Sequence, residues 1–145
     1  MQQPAHILLV EDNRMDVELT LDAFREAALT STIHVASNGQ EALDYLFGRG
    51  SFADRYTHPL PDLILLDLKM PGVDGFEVLR QLKVAPQLKR LPVVVLTSSR
   101  EEGDRALSYD LGTNSYLVKP LSFEGFLDVV RQVGAYWLVL NVEPP

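Results

Sequence analysis

The segment LILLDLKMPGVDG, residues 63–75, places four aliphatic residues before a carboxylate and a turn that contains Pro and Gly. An apolar run of this length, bounded by turn residues, is typical of a strand buried on both faces of a parallel sheet. Asp74, followed three residues later by Glu77, is a pattern that predicts the start of a helix. The segment therefore predicts a buried strand, a carboxylate (Asp67) at the end of that strand, and a helix after a short connection.

The same strand-and-helix unit recurs along the whole chain. Apolar runs predict strands at residues 7–10, 33–36, 63–66, 93–96 and 116–118. Segments with helical spacing of apolar residues follow these runs, and their N-caps are predicted at Asn13, Asn38, Asp74, Ser99 and Ser122. Five strands that alternate with five helices predict an α/β fold, in which an open parallel sheet carries helices on both faces.

One irregular stretch interrupts this alternation. Residues 48–61 are rich in Gly, Pro and polar groups, and they predict a loop longer than most connections of this kind. We interpret the loop as a tolerated surface insertion. His6, His34 and His58 occur at unrelated positions in the sequence, so a histidine metal site is not expected.

The composition restricts the classes to which the chain can belong. Its 145 residues are enough for one domain, and 46% hydrophobic residues lie in the normal globular range. The net charge of −7 argues against nucleic acid as a direct partner, because binding to phosphates requires a basic surface. The N-terminus has no signal-peptide pattern, the apolar runs are too short for a membrane span, and cysteine is absent. A cytoplasmic protein without a membrane partner is expected.

Polar residues stand at the carboxyl ends of the predicted strands. Glu11 and Asp12 follow the first strand, Asp67 the third, Thr97 the fourth and Lys119 the fifth. In open α/β sheets ligands bind beyond these strand ends, so the side chains are expected to converge at one edge. Each of these residues could also have an ordinary structural role. Asp12 and Asp67 could cap the helices that follow them, Thr97 could be a turn residue, and Lys119 could form an ion pair. Their shared position in the topology favours a common site.

The chemistry of these side chains indicates phosphoryl transfer. Carboxylates brought together repel one another, and a divalent cation with oxygen ligands, most plausibly Mg²⁺, relieves that repulsion. With the cation bound, an ionised Asp67 is able to attack phosphorus, while Lys119 and the Thr97 hydroxyl stabilise charge on the phosphoryl oxygens. The product of such a reaction is an aspartyl phosphate.

The motifs that contain these residues resemble the receiver domains of two-component response regulators, over roughly residues 7–139. They are LVEDN at 9–13, LDLKMPGVDG at 66–75, LTS at 96–98 and YLVKP at 116–120. The resemblance implies a flavodoxin-like, doubly wound five-stranded parallel sheet of order 2-1-3-4-5 with five helices. It also implies a phosphorelay response regulator that accepts a phosphoryl group from a sensor histidine kinase and catalyses only its own phosphorylation and dephosphorylation.

The resemblance further assigns roles around the acceptor. Asp67 is the expected phosphoacceptor. Asp12, Asp67 and the backbone carbonyl of Lys69 are the expected Mg²⁺ ligands, and Glu11 is expected to act through a water or as a further acidic ligand.

Four more residues receive roles from the same resemblance. Thr97 and Tyr116 are the expected switch pair, in which Thr97 moves towards a phosphoryl oxygen and the Tyr116 ring fills the vacated space. Lys119 is the expected phosphate clamp. The family usually has a cis peptide before this proline, so the Lys119–Pro120 bond is expected to be cis.

The expected organisation is a single receiver domain, residues 1–145, with a core over about 6–140 and no output domain. Such a protein is expected to act through protein contacts or by passing its phosphate on. The long loop and the apolar, Trp-containing tail resemble single-domain regulators that partner bacterial phytochrome kinases. The tail at 135–142, which includes Tyr136, Trp137 and Leu140, predicts either core packing or an exposed patch for a kinase or for a homodimer through the last helix.

Three other functions can be compared with the residues that are present. A phosphotransfer intermediate that passes phosphate to a His-containing protein would use the same residues. An aspartate-nucleophile phosphatase of the haloacid dehalogenase type needs a second Asp two residues after the nucleophile, where this chain has Lys69. A degenerate receiver that only docks would lack the acceptor, the acid pair or the lysine, all of which are present.

Overall fold

A single parallel sheet organises the computed structural model, which describes residues 5–29 and 31–140, the last three of these by backbone only. The strands are β1 (Ala5–Val10), β2 (Ser31–Ala36), β3 (Leu63–Leu66), β4 (Val93–Thr97) and β5 (Ser115–Val118). The helices are α1 (Arg14–Glu26), α2 (Gly39–Phe47), α3 (Gly75–Val84), α4 (Glu102–Asp110) and α5 (Phe123–Val133). The sheet order is β2-β1-β3-β4-β5 with every pair parallel, which confirms the predicted α/β fold and strand order.

The three central strands explain why the sheet forms. In β3 and β4 every residue is buried, and alternate side chains enter two apolar clusters, one on each face of the sheet. Removal of this apolar surface from water is the main stabilisation, at about 25 cal/mol per Å². None of the described helices is long and apolar enough to cross a lipid bilayer.

The strand register continues one residue beyond the strands and so fixes the site. The Asp67 N–H donates to the Val10 carbonyl at 3.0 Å, and the Lys119 N–H donates to the Thr97 carbonyl at 2.7 Å. The residues that follow β1, β3 and β5 are therefore held by backbone hydrogen bonds at the same edge of the sheet.

The predicted helix caps are confirmed at four of five positions. Asn13, Asn38, Asp74 and Ser122 each accept a hydrogen bond from a backbone N–H in the first turn of the following helix. The prediction at Ser99 is wrong, because Glu101 precedes the first residue of α4. The Ser99 hydroxyl instead donates to the Asp104 carboxylate at 2.6 Å, which takes it away from a capping role.

The loop at residues 48–61 packs against α2 and is more than a tolerated insertion. The Arg55 guanidinium donates to the carbonyls of Tyr45 and Leu46, each at 2.7 Å. The Tyr45 hydroxyl returns a hydrogen bond to the Pro59 carbonyl at 2.8 Å. The loop thus adds hydrogen bonds to carbonyls in the last turn of α2, where a helix leaves acceptors available.

The histidines, expected to be unrelated, are neighbours in the fold. His6 on β1 and His34 on β2 lie on one face, and their ring nitrogens Nδ1 and Nε2 are 3.2 Å apart. The ring of Tyr45 lies between His34 and His58, with centroid distances of 5.6 and 5.8 Å. Burial lowers the pKa of His34, and the nearby His6 and His58 lower it further.

The lowered pKa of His34 predicts a pH-dependent stability. The unfolded chain binds a proton more readily than the folded one, so the stabilisation is complete above the ordinary histidine pKa of about 6.5 and is lost as the pH falls below it. Chemical unfolding at about pH 8 and about pH 5.5 should show a smaller loss for His34→Gln than for the wild type. Equal losses would contradict this assignment.

Candidate functional site

Three carboxylates meet at the carboxyl edge of the sheet. Glu11 and Asp12 follow β1, Asp67 follows β3, and one oxygen from each lies within 4.8 Å of the others. Glu11 and Asp67 are buried, whereas Asp12 is exposed to solvent. Among the described residues no other group of three or more such side chains is close enough to hold a cation. The three predicted acids are therefore brought together as a cluster of hard oxygen ligands.

Asp67 has an unsatisfied oxygen at the centre of this cluster. Its Oδ1 is buried and has no hydrogen-bond partner among the described residues. A buried acceptor without a partner costs about 1–3 kcal/mol, more when it is charged, so native proteins seldom retain one without a reason. The donor set and the orphaned oxygen both fit a divalent cation at this position.

Gly75 allows α3 to begin directly over the acceptor. A Cβ at residue 75 would lie 2.3 Å from the Asp67 carbonyl oxygen and 2.7 Å from the Leu68 Cα, closer than atoms can approach. The Gly75 N–H donates to the Leu68 carbonyl at 3.0 Å. The glycine in the quoted segment is thus required by a close approach of backbone to backbone.

Lys119 enters the cluster from the end of β5. Its Nζ donates to Glu11 and, at 2.8 Å, to Asp16 Oδ2, while Asp67 Oδ2 is 3.8 Å away. The sequence predicted the lysine and Glu11 here but missed Asp16, which lies in the first turn of α1. An acid in that turn is ordinarily explained by the helix dipole, so its contact with Lys119 could not be predicted from the sequence.

Burial determines the direction of the pKa shift of Glu11 but not that of Lys119. Burial raises the pKa of Glu11 to about 7, and the charge of Asp67 adds to this, although the hydrogen bond from Lys119 opposes it. Burial alone would lower the pKa of Lys119, but its hydrogen bonds to Asp16 and Glu11 outweigh that effect and raise it. Lys119 therefore keeps its positive charge among the acids.

Thr97 and Tyr116 both contact Ser99 in the segment that follows β4. The Thr97 side chain is fully buried, and its Oγ1 accepts a hydrogen bond from the Ser99 N–H at 3.3 Å. The Tyr116 hydroxyl donates to the Ser99 carbonyl at 2.9 Å. The predicted switch residues are thus joined through one backbone segment.

Lys69 and Asp104 link the acceptor loop to α4. The Lys69 Nζ lies 3.1 Å from Asp104 Oδ2, the oxygen that also accepts from Ser99. The hydrogen bond with Asp104 raises the pKa of Lys69, and the bond from Ser99 is the main reason that the pKa of Asp104 is lowered. Sequence reasoning missed Asp104. The backbone carbonyl of Lys69 as a metal ligand stays a prediction.

The predicted cis bond before Pro120 is wrong for this structure. No peptide bond among the described residues is cis, so Lys119–Pro120 is trans. For an X–Pro bond the two forms differ by only about 0.5–1 kcal/mol, and the trans form is the preferred one. In the trans form Lys119 already makes its backbone bond to Thr97 and its ion pairs, so nothing in the site demands the cis form.

Comparison with known proteins agrees with the fold. The family model of the response regulator receiver domain matches residues 7–131. The chain belongs to the response regulator receiver family. It is 42% identical over 143 residues, 99% of this chain and 90% of the relative, to a probable methanogenesis regulatory protein, FilR2, of Methanothrix harundinacea.

Two solved structures are closely similar. One is the phosphorylated cyanobacterial phytochrome response regulator RcpA, with a TM-score of 0.91, 38% identity, and coverage of 98% of this chain and 99% of that one. The other is the Mn²⁺-bound form of response regulator Rcp1, with a TM-score of 0.87, 37% identity, and coverage of 98% and 100%. Rcp1 is a protein of Synechocystis sp..

The close approach of the three acids should lower the free energy of unfolding of the protein. Asp67→Asn removes one of the close charges, so it should raise the unfolding free energy of the protein in chelator by about 1–2 kcal/mol. The same substitution should abolish any stabilisation by added divalent cation. Asp22→Asn, in an exposed pair with Arg25, is the matched control. Loss of stability in Asp67→Asn would contradict the repulsion argument.

Proposed function

We propose that Asp67 accepts a phosphoryl group from a sensor histidine kinase in a Mg²⁺-dependent reaction, and that the phosphorylated protein changes its contacts with other proteins. The observation that carries the proposal is the Asp67 carboxylate itself. It is buried, one of its oxygens has no partner among the described residues, and Lys119 is 3.8 Å away. A nucleophile so placed lies beside two further carboxylates and beside an ammonium held by ion pairs.

Each residue of the site has a separate role in the proposed transfer. Glu11, Asp12, Asp67 and the Lys69 carbonyl would hold Mg²⁺, which supplies charge neutralisation for the phosphoryl oxygens when bound. An Asp67 oxygen forms the new O–P bond as the P–N bond of the kinase phosphohistidine breaks, and the imidazole is the leaving group. Lys119 and the Thr97 hydroxyl donate to phosphoryl oxygens, and the ion pairs of Lys119 hold its ammonium in place, which lowers the cost of charge reorganisation.

The proposed signal leaves the site through the segment that follows β4. A phosphoryl oxygen that accepts from Thr97 draws this side chain away from the Ser99 N–H. Ser99 also holds the Tyr116 hydroxyl and the Asp104 carboxylate, so a shift of Ser99 affects both β5 and the start of α4. This is a local hydrogen-bond change that biases a two-state element, and α4 is the element we expect to move.

The proposed partner is a sensor kinase of the phytochrome type. RcpA, a phytochrome response regulator, covers nearly the whole of this chain in structure, and this supports the assignment. The cytoplasm is the proposed location, in agreement with the absence of cysteine. Mg²⁺ is proposed as the physiological cation because Mg²⁺ favours one or two carboxylates with phosphate oxygens.

A homodimer through the last helix is a separate proposal, which is independent of the role of Asp67. A π-helical segment, Gly134–Leu140, continues α5. In it Tyr136 is exposed, whereas Trp137 packs partly against the apolar cluster beneath α1 and α5. The side chains at 138–140 and residues 141–145, which include the rest of the predicted patch, lie outside the described residues.

The acceptor is tested by labelling with acetyl phosphate. Wild-type protein should acquire stoichiometric label in Mg²⁺, labile in both acid and alkali as an acyl phosphate is, and none in excess chelator, because the reaction requires the cation site. Asp67→Asn should remain folded and unlabelled, whereas Asp62→Asn, an exposed acid before β3, should be labelled like the wild type. Labelled, folded Asp67→Asn would overturn the proposal. Transfer of the label onward to a His-containing protein would indicate a phosphotransfer intermediate.

A further inference from the structure

We infer that Asp16 is a positioning residue, which holds the Lys119 ammonium away from the acceptor carboxylate until a phosphoryl group arrives. The inference rests on the proposed function and extends it to a residue outside the acid cluster. Asp16 Oδ2 is 2.8 Å from Lys119 Nζ, whereas Asp67 Oδ2 is 3.8 Å from the same nitrogen. Lys119 thus makes its hydrogen bonds to α1 and β1 and not to the acceptor.

The start of α1 explains why the Asp16 carboxylate is available. Asn13 is the N-cap, so Asp16 is the third residue of the helix, where an acid ordinarily reaches back to the N–H of the cap. Here the Asn13 N–H donates to Glu11 Oε2 at 3.1 Å. The Asp16 N–H donates to Asn13 Oδ1, also at 3.1 Å. The usual capping role of the acid is already filled by Glu11, and the carboxylate of Asp16 turns to Lys119.

The hydrogen bonds that the Lys119 ammonium donates show the effect of its contact with Asp16. An ammonium has three N–H donors, and Glu11 and Asp16 use two of them. Asp67 Oδ1, close by, is buried without a partner among the described residues. Without Asp16 one N–H of the ammonium is freed, and the ammonium would be drawn towards Asp67, the buried carboxylate to which it makes no hydrogen bond. A lysine closed on Asp67 would compete with the cation and would tie up the nucleophilic oxygens.

The same geometry keeps an ammonium donor close to the site of the phosphoryl group. A phosphoryl group attached to Asp67 extends its oxygens beyond the carboxylate, whose Oδ2 is 3.8 Å from Lys119 Nζ. The third N–H of Lys119 is free to donate to one of these oxygens while Asp16 keeps the ammonium in place. Asp16 therefore favours both an open acceptor before transfer and a placed donor after it.

Two substitutions and a matched control test this role. Asp16→Asn keeps the size of the side chain and removes its charge, and Asp16→Glu restores the charge. Glu18→Gln removes one negative charge from the same helix, where Glu18 makes an exposed ion pair with Arg14 at 3.7 Å. The hydrogen bond from the Thr20 hydroxyl to the Asp16 carbonyl involves only the backbone of residue 16, so it is retained in all variants.

The first measurement is the NMR signal of the Lys119 ammonium in chelator, which reports the contact without any bound metal or activity. Asp16→Asn should shift the Nζ resonance, and Asp16→Glu should return it towards the wild-type position. The second is Mg²⁺ affinity by titration, where Asp16→Asn should bind roughly five-fold more weakly, the scale of a partly exposed ion pair. Glu18→Gln should match the wild type in both.

The outcomes separate this inference from the proposed function. A Lys119 signal and a Mg²⁺ affinity in Asp16→Asn equal to those of the wild type would overturn the positioning role. An equal effect of Glu18→Gln would also overturn it, since net charge alone would then explain the result. If either occurs while Asp67→Asn loses its label, the proposed function stands and only the role of Asp16 falls. Label retained in folded Asp67→Asn would overturn both.

Discussion

Repulsion among carboxylates at one edge of a parallel sheet is the constraint on which the rest of this structure depends. The register of β1 with β3 places Glu11 beside Asp67, and Asp12 follows on the solvent side. Two of these acids are buried, where the low dielectric strengthens their mutual repulsion. The raised pKa of Glu11, about 7, is a direct consequence of that burial and of the neighbouring charge of Asp67.

The fold tolerates this arrangement because the sheet beneath it is so thoroughly apolar. The central strands are buried on both faces, and their hydrogen bonds extend to the backbone of the site residues themselves. Gly75 lets α3 close over the acceptor, and Lys119 supplies the one cation found within the acid cluster among the described residues. Local destabilisation at a functional site, offset by stable surroundings, is common where a ligand later relieves the strain.

The sequence predicted the fold and the acid cluster because both follow from the position of residues relative to strands. Apolar runs locate β3 and β5, and the residues that follow them lie at one edge of the sheet, which is why Asp67 and Lys119 were predicted. Asp16 and Asp104 were missed because each lies early in a helix, where an acid needs no further explanation. The pairing of His6 with His34 depends on the register of two strands, which periodicity does not reveal. Ser99 failed as a cap because its hydroxyl has a tertiary partner.

The buried carboxylate at the end of β3, one oxygen of which has no hydrogen-bond partner among the described residues, is the proposed acceptor of the phosphoryl group. Borohydride reduces an aspartyl phosphate to homoserine, so it records which carboxylate was phosphorylated without any mutation. After reaction with acetyl phosphate and Mg²⁺, peptide mass spectrometry should find homoserine at residue 67 and unmodified side chains at Glu11, Asp12 and Asp16. Homoserine at residue 12 or 16, with Asp67 unmodified, would contradict the account.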